Sequence, residues 1–351
     1  MSIATLLDKA ADWIFAPFAS WERLLTALGG VPAALSDSGS KTAWPYLLTS
    51  LVVACVLYRR AATREPGRAR SLLSFLWPTD VYRRPSAIVD YQYVAIDLTI
   101  RSVVYTPFMA GLAWVIHKSV LPVTTRLLAV DVPLTSPTVR AIVLTLLAVV
   151  LADFGFFLTH WLMHRVPALW HFHEVHHSAE VLTPVTVYRV HPVEDLMMAW
   201  IGAVFTAVAT SVFAALRGSE ADIITLFGTN IVWVAFFSCA FQLRHSHLWL
   251  SYGPLMSRIF ISPAQHHIHH SVDARHWDKN FGYLFAVWDT LFGTVYVPRT
   301  RETLTFGVPA DPRDFSSVSK LYLLPFVKAA RTLRSRRPRR EPVATTVSAS
   351  G

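Results

Sequence analysis

The sequence predicts an all-α integral membrane protein, with about four to five transmembrane helices and a cytoplasmic helical cap that carries histidine clusters. Three observations lead there. Of 351 residues 53% are hydrophobic and mean hydropathy is +0.39, more apolar material than a soluble domain of this length needs. Several apolar runs approach the roughly 20 residues that cross a bilayer. The histidines crowd into the stretches between and after those runs: all fifteen except His117 fall between His160 and His276.

Taken in order, residues 1–42 read as an amphipathic or interfacial segment. Its first residues carry acids and lack a basic region before a small-residue cleavage site, so they do not read as a signal peptide. Residues 43–139 form an N-terminal transmembrane region with a basic loop, 140–298 the histidine-cluster region, 299–334 a C-terminal extension and 335–351 a basic, disordered tail. The expected spans are 43–58, 91–116, 140–159, 196–216 and 222–243. The first is short, and the second contains Asp97 and Arg101, one helical turn apart and able to neutralise each other. Arg59, Arg60, Arg64, Arg68, Arg70, Arg83 and Arg84 lie between the first two spans, and the positive-inside rule puts them in the cytoplasm. Counting spans from there brings 160–195, everything after Arg244, and the tail with Arg334, Arg336, Arg337, Arg339 and Arg340 to the same side. The connection holding Glu220 and Asp222 falls on the other, and His117 on the face away from the clusters.

The net charge of +9 collects in these loops and the tail, which fits an anionic lipid surface rather than nucleic acid. Cys55 and Cys239 stand alone in apolar runs, which excludes a disulfide framework, a thiolate zinc site and an iron–sulfur centre.

Three histidine groups carry the chemistry. His160 and His164 are spaced i, i+4 where the third span ends, so their rings share a helical face about 6 Å apart along the axis. Pro167 permits a break. His173, His176 and His177 follow at i, i+3, i+4, and His266, His269 and His270 repeat that spacing. Neutral imidazole suits iron, copper and zinc. Eight histidines at ligand spacing exceed what one tetrahedral ion uses, so two metals are expected, about 3.5 to 4 Å apart if they share an oxygen. Asp153, seven residues before His160 and on its helical face, is a candidate to orient a ligand ring. Asp273 and Asp289 are candidates for the same task or for capping and turns, and Asn280 for a turn.

HWLMH at 160–164, HEVHH at 173–177, HHIHH at 266–270, KNFG at 279–282 and WDTLFGT at 288–294 together resemble the fatty acid hydroxylase and sterol desaturase superfamily, over about Asp153 to Pro298. The resemblance implies a non-haem diiron site bound by the eight motif histidines and dioxygen as co-substrate. It also implies a lipid substrate drawn from the bilayer, sterol, fatty acyl or related, that is hydroxylated or desaturated. It adds histidines between the second and third clusters to the ligands, here His245 in RHSH and His191 in RVHP. His171, His247, His267 and His276 lie beside the motif positions and read as surface or supporting residues. No HPGG haem motif or flavin loop occurs, so electrons are expected from a separate ferredoxin- or cytochrome-type partner with its reductase. The expected location is a bacterial inner membrane, or the endoplasmic reticulum in a eukaryote.

Two rival readings stand beside this one. HEVHH also satisfies the zinc metalloprotease pattern, with Glu174 as general base between His173 and His177, but that uses two of eight spaced histidines. A non-enzymatic metal-binding or transport protein is the other, and no ladder of acids or histidines crosses the spans to serve it.

Overall fold

The computed structural model describes residues 8–9, 11–12, 15–33, 36–41, 43–64, 71–127, 136–215, 223–239 and 241–335. Arg68, Arg70, Glu220, Asp222, the side chain of His117 and the tail from 336 onward lie outside the described residues. The chain is an all-α membrane protein: four helices, Trp44–Arg64, Pro85–Ile116, Pro137–Arg165 and Pro192–Val212, are long and apolar enough to cross a bilayer.

Helix α1 (Trp44–Arg64) precedes α2 (Pro85–Ile100), which passes through a π-helical turn at Arg101–Tyr105 into α3 (Thr106–Leu127). Asp97 and Arg101 pair as expected, and Arg101 also binds Asp195 on a later helix. The hydroxyl of Tyr322 donates to Asp97 at 2.9 Å. A cation between two carboxylates inside the helix bundle is the arrangement that offsets the cost of burying each charge.

Helix α4 (Pro137–Arg165) has 29 residues, about 43 Å at the α-helical rise, so its final turns project beyond a bilayer core of about 30 Å. Val166 leaves helical geometry and Pro167 opens α5 (Pro167–His177), because proline cannot continue the preceding helix but suits a first turn. Helix α6 (Pro192–Ala215) packs against α3 and α4. Gly155 on α4 permits the close approach: a Cβ there would stand 3.0 Å from Phe205 and 3.7 Å from the Gly202 backbone.

The stretch 222–243, expected as a fifth span, is not one. It holds a hairpin of β1 (Thr225–Leu226) and β2 (Thr229–Asn230), then α7 (Ile231–Ser238) of eight residues, about 12 Å long and too short to cross. Phe227 at φ 54° and Gly228 at φ 81° make the tight turn between the strands. Asn230 then starts a fresh helix by accepting the Val232 amide at 2.9 Å. The non-helical backbone is bonded to α4, with the Ile224 amide on Thr145 Oγ1 at 2.8 Å and Asn230 Nδ2 on the Thr145 carbonyl at 3.2 Å. Irregular backbone at membrane depth is tolerated where protein satisfies it in this way.

After a 3₁₀ turn at Phe241–His245 come α8 (Pro263–His269), α9 (Val287–Leu291) and α10 (Val318–Arg334). Ser262 caps α8 through a reciprocal pair with Gln265. Helix α10 lies along α5, with Phe326 on Phe172 at 5.2 Å between ring centroids and Lys328 Nζ 3.1 Å from Glu174.

Candidate metal centre

The histidines converge where α4 ends, between α5, α8 and the 241–245 turn, and form two groups. His160, His164, His173, His177 and His269 make one; His176, His245, His266 and His270 make the other. Within each group the candidate ligand atoms lie within 4.8 Å of one another. The groups adjoin, with the rings of His177 and His270 stacked at 4.5 Å.

Hydrogen bonds on the far side of the rings fix which nitrogen faces inward. His160 Nδ1 donates to the Phe281 carbonyl at 2.8 Å and His173 Nδ1 to Glu194 Oε2 at 2.9 Å. His176 Nδ1 donates to the Arg189 carbonyl at 3.2 Å and His269 Nδ1 to the Lys279 carbonyl at 2.8 Å. With the proton on Nδ1, Nε2 carries a lone pair. The Nε2 atoms of His160 and His173 nevertheless approach to 3.1 Å, as do those of His173 and His177, while His245 and His266 approach to 2.9 Å. For His160 and His173 both protons are committed elsewhere, so this contact sets two lone pairs face to face, which no hydrogen bond accounts for. One cation held by both nitrogens would account for it, and imidazole nitrogen is a fitting donor for such an ion. His269 Nε2 is buried with no hydrogen-bond partner, another donor atom left for an ion. Burial, reinforced by neighbouring imidazoles, lowers His173, His177, His245, His266, His269 and His270 well below the ordinary 6.5, and burial takes His176 to about 3. At neutral pH these are neutral donors, the form a metal requires.

The expected site residues divide cleanly. The eight motif histidines and His245 come together. His191 does not: its Nε2 donates to the Tyr322 carbonyl at 3.0 Å and its Nδ1 accepts the Val193 amide at 3.1 Å, so both nitrogens are used away from either group. His247 bonds the Phe75 carbonyl and His267 the Leu243 carbonyl. His171 contacts Glu174 and Thr332, and His276 lies 3.2 Å from Glu302.

Asp153 touches no ligand ring. It accepts the amides of Leu284 at 2.6 Å and Phe285 at 3.1 Å and the Trp288 indole at 2.9 Å. Asp289 accepts the amides of Phe281 and Gly282, both at 2.8 Å. Together they fix the loop whose Phe281 carbonyl holds His160, so they orient a ligand through backbone rather than directly. Asn280 takes the left-handed conformation at φ 59° and bonds the Gln265 and Tyr296 carbonyls. Gly282 is required by crowding, since a Cβ would collide with the Phe285 carbonyl. Asp273 is a cap at the protein surface, accepting from Arg275.

Glu194 is the residue that the motifs missed. The sequence does hold a signal for it, because an acid in the first turn of an apolar span is a functional candidate by default. Glu174 turns away from both groups, bound to Lys328 and His171, each at 3.1 Å. A cavity of about 200 Å³ reaches histidines of both groups and is bordered by Phe156, Met198, Phe241 and Tyr283.

Residues 145–294 match the family described as fatty acid hydroxylase. Among curated proteins the chain is similar to an ornithine lipid hydroxylase, OlsE, of Rhizobium tropici, 27% identical over 46% of this chain and 44% of the relative. It is similar to alkylglycerol monooxygenases of Caenorhabditis elegans, 28% identical over 47% of this chain and 30% of the relative, and of Homo sapiens, 27% identical over 40% and 28%. The chain thus covers less than half the length of these relatives. No solved structure matches it.

Proposed function

We propose that this chain, whose residues 145–294 match the fatty acid hydroxylase family, is a membrane-bound, O2-dependent diiron oxygenase that hydroxylates or desaturates a lipid. The observation that carries this is the division of nine buried imidazoles into two adjoining groups bordering one largely apolar cavity. Iron bound there would supply the activation of dioxygen. Hydroxylation of a C–H consumes one O2, two electrons and two protons and releases one water; desaturation consumes the same and releases two waters. The electrons come from a separate redox protein. The chain's own residues hold the ligand rings in one tautomer, exclude water by burying the rings, and present apolar walls to the substrate.

The histidine clusters face the cytoplasm in this reading. Tyr82 packs against His247 at 6.0 Å and Arg189 bonds Asp90, so Arg83, Arg84 and the start of α2 lie at the same end of the bundle as the clusters. The protease alternative finds no support, because Glu174 is committed to Lys328 and His171 rather than aimed at an ion.

The test is metal content with lipid analysis. Protein purified under reducing conditions carries close to two irons per chain, and cells expressing it accumulate an oxidised lipid that the His269→Ala variant does not produce. A fully active preparation holding one zinc and no iron would overturn the reading.

A further inference from the structure

The cavity beside the candidate metal centre is not uniformly apolar. Lys41 and Arg244 both border it. The carboxylates on its wall have other hydrogen-bond partners: Glu194 accepts from His173, and Asp195 is bound by Arg101, which also holds Asp97. Among the described residues neither Lys41 nor Arg244 has a carboxylate at ion-pair distance. The Lys41 ammonium donates to the Val187 carbonyl at 3.2 Å and lies over the Tyr188 ring at 5.3 Å. An ammonium has three donors, so that single carbonyl leaves capacity facing the cavity. Arg244 is 2% exposed and held by the carbonyls of Tyr283 and Ile261, with its guanidinium 4.9 Å from the Phe236 ring centroid. Two cations on one cavity wall with no carboxylate in direct contact raise the local potential, opposed by Asp195, Asp97 and Glu194, which act on Lys41 from beyond ion-pair distance. Burial, with Arg101 nearby, lowers Lys41 to about 8, which leaves it mainly protonated at neutral pH.

Resting on the oxygenase reading, we propose that Lys41, supported by the fixed charge of Arg244, binds an anionic oxygen group of the lipid substrate, a carboxylate or a phosphate. The same cavity of about 200 Å³ touches His160, His173, His176, His245 and His266. Anion and metal centre are therefore so close that the carbon oxidised lies a few bonds from the anionic group, not far along an acyl chain. The apolar side chains of Phe156, Met198 and Phe241 receive the adjoining methylenes.

Equilibrium binding tests this without turnover. The full-length, iron-loaded protein in detergent micelles is titrated with three radiolabelled probes of equal chain length: palmitate, palmitoyl lysophosphatidate and neutral monopalmitoylglycerol. Wild type should bind at least one anionic probe about tenfold to a hundredfold more tightly than the neutral one, the range for a charge-assisted contact. Preference for palmitate identifies a carboxylate, and preference for lysophosphatidate a phosphate. Lys41→Met should abolish the preference and Lys41→Arg should keep much of it, with iron content reporting that each variant has folded. Absence of a preference in wild type overturns the proposal whatever the variants do, and so does a preference that survives in iron-replete Lys41→Met. Selective anion binding by a protein that oxidises no lipid would sink the oxygenase reading and leave the anion site standing; lipid oxidation without selectivity would sink only this proposal.

Discussion

Replacing Glu194 tests whether a carboxylate one shell out from the candidate ligands governs metal affinity. Its Oε2 accepts from His173 Nδ1 at 2.9 Å, and both partners are buried, so solvent does not take over the interaction when it is removed. Glutamine keeps an acceptor but loses the charge. Hydrogen bonds to charged groups contribute about 1.5 to 3 kcal/mol and neutral ones about 0.5 to 1.5 kcal/mol, so Glu194→Gln should weaken metal binding by roughly 1 to 1.5 kcal/mol, about fivefold to tenfold. Alanine removes the acceptor, leaves the ring free to turn, and should cost nearer the hundredfold end of the range for such outer-shell partners. The assay is a chelator competition on the iron-loaded protein, read as iron retained per chain. The expected order is wild type, then Gln, then Ala. Glu174→Gln is the control, because Glu174 bonds Lys328 and His171 instead of a ligand ring, and its midpoint should match wild type. A Glu194→Ala protein with the wild-type midpoint would refute the reasoning.

Two more outcomes follow from the same geometry. In metal-free protein, His176 sits at about 3 and the other buried cap histidines well below 6.5; because their folded values are depressed, stability is full above about 6.5 and is lost as pH falls below it, by up to about 1.4 kcal/mol per pH unit for each histidine. A thermal midpoint that is flat between about pH 7 and 8 and drops steeply towards pH 5 is expected, and a midpoint insensitive to pH from about 7 down to 5 would show that these rings are not buried neutral. In activity measurements with an identified lipid and a reductant, Glu174→Gln should retain a substantial part of turnover and His266→Ala none; complete loss in the first together with normal activity in the second would promote the protease alternative.

The cap was legible in the sequence because helical spacing is a local property. At about 100° per residue, His173 and His177 lie some 40° apart, and His176 lies some 60° from His173 on the other side. That set announces a shared face, but which ring joins which group depends on α8, about ninety residues later in the chain. The spans were legible where a run was long and unbroken. The run at 222–243 misled because hydropathy counts composition, while Gly228 and Asn230 act through backbone geometry and capping. His191 was expected among the ligands on resemblance alone, and a neighbouring carbonyl on α10 captures it instead. Lys41 carried no signal at all: a single lysine before a span is ordinary, and only the tertiary fold sets it beside Val187 and the cavity.

The distribution of ligands between the two helices has a consequence for assembly. Helix α5 sends its i, i+4 pair, His173 and His177, to one group and His176 to the other; α8 with its C-terminal cap residue His270 sends His266 and His270 to the second group and His269 to the first. Each helix thus gives two rings to one group and one to its neighbour, in opposite sense. The remaining donors, His160 and His164 from the end of α4 and His245 from the 241–245 turn, belong to one group each. Neither group can close unless both α5 and α8 are docked, so an ion in either group stabilises the packing that the other requires. Metal binding by such a site is linked to folding of the cap, and losing one ligand on α5 or α8 should loosen both groups, whereas losing His245 acts first on the group of four.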